Sequence, residues 1–174
     1  WKGNEEIVKL LVLKSKVDEQ DEYGETALMK AAFKGHLRIV KLLVEKNANL
    51  NLTNKCGKTA LIWASQKGEI NVAEYLISKG ADKHIKDKGG VNALMAACFF
   101  KHVKTAKLLI QSGAMVNEKT KGGKTALMFA STILDCHCSD IDGSAIVEIL
   151  IKSGADVNDR NDDGITALMT AAYY

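Results

Sequence analysis

The chain has 174 residues, 47% of them apolar and 26% charged, with a net charge of +3. The apolar share is ample for a core, yet the longest apolar stretches, such as "LLVL", fall far short of the roughly 20 residues that span a bilayer, so membrane insertion is not expected. Only Arg38 and Arg160 of the 24 basic residues are Arg; a surface built to grip phosphates or base edges leans on Arg forks, so nucleic acid is not an expected partner.

The chain opens on "GNEEIVKLLVLKSKVDE", and close copies of this phrase return as "GHLRIVKLLVEKNANLN", "GEINVAEYLISKGADKH", "KHVKTAKLLIQSGAMVN" and "GSAIVEILIKSGADVN". A second phrase alternates with it. Thr-Ala-Leu begins at Thr26, Thr59, Thr125 and Thr166, and Asn92 fills the same slot in "NALM", giving intervals of 33, 33, 33 and 41 residues. The chain thus reads as a half repeat (1–20), whole repeats at 21–53, 54–86, 87–119 and 120–160, and a final half (161–174). The 41-residue interval is one unit plus eight residues, inserted near 132–139.

Each unit reads as helix, turn, helix, hairpin. Thr26 is a reasonable N-cap, and Leu28, Met29 and Ala32 share one face of the first helix. Gly35 ends that helix. Ile39, Val40, Leu42 and Leu43 give a second helix a broad apolar face, and Asn47, Gly80, Gly113 and Gly154 follow the second helices where a left-handed residue is wanted. Helices of about eight to ten residues do not persist alone in water. Each must bury its face against the next unit, as in a solenoid.

These phrases resemble the ankyrin repeat family across essentially the whole chain. The family pattern runs D-x-x-G-x-T-P-L-H-x-A-A-x-x-G-H, then I-V-x-x-L-L, then G-A-D-V-N; "DEYGETALMKAAFKGH" and "SGADVN" match it. The resemblance implies an all-α solenoid of helix-turn-helix units joined by β-hairpin-like loops, working as a non-catalytic protein-binding module. Two departures recur. Ala replaces the family's Pro (Ala27, Ala60, Ala93, Ala126, Ala167), and Met or Ile replaces its His (Met29, Ile62, Met95, Met128, Met169). Apolar packing is expected to take over from the Thr–His hydrogen bonding of the family's turn.

Several residues invite sharper readings. "GKT" at 57–59 and 123–125 looks like the end of a phosphate loop, but Leu52 and Glu118 stand where that loop needs Gly. His36 and His102 fill a structural slot beside the second helix, and His84 a hairpin slot that elsewhere holds Asn51, Asn117 and Asn158. Cys98 sits in a core position and Cys56 on a hairpin tip; free thiols without regular spacing suggest an intracellular, cytoplasmic setting. The insertion holds Cys136, His137 and Cys138, but Cys-x-Cys is not the usual zinc spacing and no second ligand pair is in sight, so no metal or other cofactor is expected. Repeat geometry assembles no nucleophile, base or carboxylate pair for catalysis.

Function is sought in the positions that vary between copies. On the first helices one strip carries Lys30, Phe33 and Lys34; Trp63, Gln66 and Lys67; Ala96, Phe99 and Phe100; Phe129; and finally Tyr173 and Tyr174. Stacking is expected to align them on one concave face, with aromatics flanked by Lys as interface anchors. Tyr23 tips an acidic first hairpin beside Glu22; Lys55 and Lys58, Lys88, then Lys121 and Lys124 make the next three hairpins basic; Asp162 and Asp163 return the fifth to acid. An acidic protein or peptide is the expected partner of a monomeric array, with no small-molecule substrate. The alternative is a regulatory or targeting arm of a larger enzyme or channel.

Overall fold

The structure, a computed structural model, describes residues 4–132 and 143–173; ten helices and no strand occur among them. They are α1 (Glu5–Val12), α2 (Ala27–Phe33), α3 (Leu37–Glu45), α4 (Ala60–Lys67), α5 (Ile70–Ser78), α6 (Ala93–Phe99), α7 (Val103–Gln111), α8 (Ala126–Ser131), α9 (Ser144–Lys152) and α10 (Ala167–Tyr173). The central part of the insertion, including Cys136, His137 and Cys138, lies outside the described residues, as does Tyr174.

Each repeat starts its first helix at a polar cap. Thr26, Thr59, Asn92 and Thr125 hold extended backbone, and each side-chain oxygen accepts the N–H three residues on, at 3.2, 3.2, 2.9 and 3.4 Å. The cap satisfies a donor that a helix start leaves orphaned. The first helices α2, α4, α6, α8 and α10 pack in series as one layer, and α1, α3, α5, α7 and α9 as a second; in the whole repeats each first helix also packs on the second helix that follows it. Between the layers lies the core. Met29, Ile62, Met95 and Met128, standing in the place of the family's His, are only 1, 1, 1 and 3% exposed. Leu43, Leu76, Leu109 and Leu150 meet them from the second layer. At the two ends of the array no described repeat covers the corresponding faces, and Leu10 and Leu11 of α1 and Leu168 of α10 are exposed among the described residues.

The fingertips are tight turns stitched to one another. Asp21, Asn54, Asp87 and Asn161 each turn a side-chain oxygen onto two backbone N–H groups of their own tip. The backbone N–H of Lys55, Lys88, Lys121 and Asp162 then donates to a carbonyl of the preceding tip (Tyr23, Cys56, Gly89 and Gly122) at 2.9, 2.9, 3.0 and 3.2 Å. This close approach requires glycine. Gly90 has φ +86°, and a Cβ there would lie 2.6 Å from the Lys121 nitrogen.

A second seam runs between the two helices of each repeat, and it changes form once. Gly35 and Gly68 leave room for a side chain from the next repeat: Glu69 covers Gly35, and His102 covers Gly68, its ring nitrogen 3.0 Å from the Gln66 carbonyl. One repeat further, the partners are exchanged. Lys101 stands in the glycine slot with φ 60°, and Gly143 stands in the covering slot. The Lys101 side chain fills the space, 8% exposed, and its Nζ donates to the Ala130 carbonyl at 2.5 Å and to the Phe129 carbonyl at 3.1 Å. In the preceding repeats the matching carbonyls of Ala31, Ala64 and Ala97 accept from the backbone N–H of His36, Glu69 and His102. A lysine side chain thus caps the helix that runs into the insertion.

Two stability predictions follow from these seams. Gly90→Ala should cost about 2 kcal/mol or more in chemical denaturation, because strain at positive φ and a backbone clash add. Gly80→Ala, with open space around its φ +89° position, should cost only about 1 kcal/mol. Lys101→Met should cost about 1–2 kcal/mol at neutral pH by leaving the Ala130 carbonyl without this donor. Burial holds the Lys101 pKa below its ordinary 10.5, so the unfolded chain binds more protons between the two values. Its contribution therefore grows as pH rises through that window, and the gap between wild type and variant should widen on going from neutral to alkaline pH.

Candidate functional site

The variable residues divide into two sets with different surroundings. The aromatics of the first-helix layer are half-buried and pair with one another. Phe33 and Trp63 meet edge to face at 5.1 Å between centroids; Phe99 meets Phe100 at 5.0 Å and Phe129 at 5.7 Å, again edge to face. Trp63 and Phe129 also pack against the buried core. No ring pair joins the two clusters among the described residues, because the position in register between Trp63 and Phe129 is Ala96. The strip reading placed Ala96 on the open face; it is instead buried, at 4% exposure. Tyr173, further along the same strip, is exposed.

The first cluster carries its own cations. Lys58 Nζ stands 4.3 Å from the Trp63 ring centroid and donates to Gln66 Oε1 at 2.6 Å. Lys67 and Lys34 stand 4.5 and 5.3 Å from the Phe33 ring centroid. The ring quadrupole attracts each ammonium and holds it at the surface of the strip. The Trp63 indole N–H is buried and has no hydrogen-bond partner among the described residues. Among the described residues no lysine stands over the rings of the second cluster.

The fingertips separate the paired lysines from the unpaired. Lys30 meets Asp21 at 2.7 Å, and the hydrogen bond raises the lysine pKa and lowers that of the carboxyl. Lys86 meets Glu118 at 3.5 Å, and Lys119 meets Asp159 at 2.6 Å. His84, in its hairpin slot, also faces Glu118, at 3.7 Å. Lys55, Lys88, Lys121 and Lys124 are exposed and form no ion pair with any described residue. Tyr23 is exposed on the first tip, its carbonyl accepting from the Lys55 N–H. Sequence reasoning named these residues individually. It missed the aromatic pairs, the lysines over the rings and Lys101; of these, the Phe33–Trp63 and Phe99–Phe129 pairs, Lys67 over Phe33 and the Lys101 hydrogen bonds depend on contacts between repeats.

Chemically the surface offers ammonium groups and aromatic faces. Cys98 is wholly buried, which pushes its thiol up to about 12 and keeps it protonated. No group of three or more His, Cys, Asp or Glu among the described residues could hold a metal ion, and no described helix is long and apolar enough to cross a membrane.

A family model described as ankyrin repeats (3 copies) matches residues 1–87 and 81–140, and one described as ankyrin repeat matches residues 122–162. Over 53 residues the chain is 42% identical to Ankyrin repeat domain-containing protein 29 of Danio rerio; the stretch makes up 29% of this chain and 18% of that protein.

The aromatic pairing has a measurable energy. A double-mutant cycle with Phe33→Leu and Trp63→Leu should return a coupling of about 1 kcal/mol in denaturant unfolding. Additive single effects would mean that the two rings contribute only by area.

Proposed function

Because the chain belongs to the ankyrin repeat family, a family of protein–protein interaction modules, we propose that it is a non-catalytic binding module for an acidic protein or peptide. The partner lies across the first-helix layer and the fingertips of the second to fourth repeats. One observation carries this reading: Lys55, Lys88, Lys121 and Lys124 are exposed on three adjacent tips without a carboxylate partner among the described residues, beside half-buried aromatic rings. Like charges kept together and unpaired raise the local potential, which draws in an opposite charge and fixes its register. The acidic tips on either side, with Glu22 on the first and Asp162 and Asp163 on the last, bound the field. The lysines over Phe33 and Trp63 extend it onto the strip.

Association should therefore depend on charge before it depends on contact. Reversing Lys58, Lys88, Lys121 and Lys124 to Glu should slow association with a labelled Glu-rich peptide by about tenfold or more at low salt. Most of the difference should vanish near about 0.5 M salt, where screening shortens the field. Stopped-flow fluorescence across a salt series makes the measurement. Equal rates for the two proteins at low salt would refute electrostatic steering.

A further inference from the structure

Ala96 leaves a gap in a strip otherwise filled by large side chains. The same register holds Lys30, Trp63 and Phe129 in the neighbouring repeats. The result is a notch of about 230 Å3, with Ile62, Met95 and Ala96 among its lining residues, the Phe99 and Phe129 rings on one flank and Lys58 at the tip side. Ile62, Met95 and Ala96 are buried, so the floor is apolar. Asp87 is the one carboxylate of the lining, and its Oδ1 already accepts the backbone N–H groups of Gly89 and Val91.

We propose that this notch is the anchor subsite for one apolar side chain, of leucine or phenylalanine size, in a peptide segment whose neighbouring residues are acidic. The inference rests on the acidic-partner reading above and specifies what that partner inserts. Three observations support it. The notch is smaller than the roughly 300–1,000 Å3 of small-molecule pockets, which suits a single side chain. Its lining includes the Phe99 and Phe129 rings, over which no lysine stands among the described residues, so an entering apolar group displaces no described cation from them, whereas the Phe33 and Trp63 faces already hold theirs. Lys58 lines the notch and belongs to the basic tip that also carries the exposed Lys55. A carboxylate beside the anchor would meet those ammonium groups, while a basic neighbour would be repelled.

The test uses two Glu-rich fluorescent peptides that differ only in a central Leu or Ala, titrated by fluorescence polarisation. The Leu peptide should bind the wild-type protein about tenfold more tightly, which is the scale of burying one aliphatic side chain. Ala96→Phe should abolish that difference, read as the ratio of Leu-peptide to Ala-peptide affinity within the variant itself. The same register carries Phe129, so the fold accommodates the ring; Ala96→Lys, matching Lys30, is the second variant should Phe disturb packing. Equal affinity of wild type for the two peptides, with lysine dependence intact, would overturn the notch and leave the acidic-partner reading standing. A Leu preference that survives in both Ala96 variants would overturn it as well. Undiminished binding by the Lys-to-Glu protein would overturn the acidic-partner reading, and the inference with it.

Discussion

Burial between neighbouring repeats is the interaction on which everything else depends. The helices run from six to nine residues, below the length at which a helix persists in water. A single repeat therefore cannot hold its own secondary structure, and its apolar face becomes stable only against the next copy. This is why the same letters return at each register. Leu28, Leu61, Leu94 and Leu127 are all buried, as are the Thr or Asn caps beside them, because every internal interface is the same interface. The exposed leucines of α1 and α10 are the same faces where no further described repeat covers them.

An interface repeated this strictly tolerates an insertion only if the seam beside it is repaired. The exchange of Lys101 and Gly143 is such a repair. Elsewhere the glycine belongs to the earlier repeat and the covering side chain to the later one. At the insertion the roles reverse, and the side chain that covers comes from the repeat whose backbone is uninterrupted. Lys suits the position for two reasons. Its stem fills the volume that Glu69 or His102 fills elsewhere, and its ammonium reaches the carbonyls at the end of α8. The cost is a non-glycine residue at φ 60° and a partly desolvated charge; two carbonyl hydrogen bonds offset it.

The fold was legible because its signals recur in phase. Caps at Thr26, Thr59, Asn92 and Thr125, left-handed conformation at Asn47, and burial of Met29, Ile62, Met95 and Met128 in place of the family's His all followed from the period and local chemistry; Met169, the fifth such residue, is exposed. The candidate surface was legible only in part. Sequence order tells which residues share a register, so the basic tips could be named. It does not tell which lysine meets a carboxylate, since Lys86 and Lys88 differ by two positions and only Lys86 finds Glu118. Nor does it tell that Phe33 and Trp63, apart in the chain, meet ring to edge. The strip looked like a row of exposed anchors. In the folded chain it is two paired clusters separated by a buried alanine, because the rings of Phe33 and Phe99 reach across to a different register of the next repeat, where they meet Trp63 and Phe129.

The fingertips show how one position can be pinned by its main chain while its side chain stays free to vary. Lys55, Lys88 and Lys121 share a register with Glu22 and Asp162. In four of these five the backbone N–H bridges to the preceding tip, from Lys55 to Asp162. The backbone is thus pinned whatever the side chain is, since the bridge uses only main-chain atoms. Freed from any packing duty, the side chain at this register can change from acid to base and back without disturbing the stack. The order Glu, Lys, Lys, Lys, Asp is then a charge pattern at a spacing set by the repeat itself. Steering of a partner needs just such fixed spacing, because a field made by mobile charges would select sign but not register. On the proposed reading, main-chain stitching of the tips is what turns a set of surface lysines into a pattern of fixed spacing.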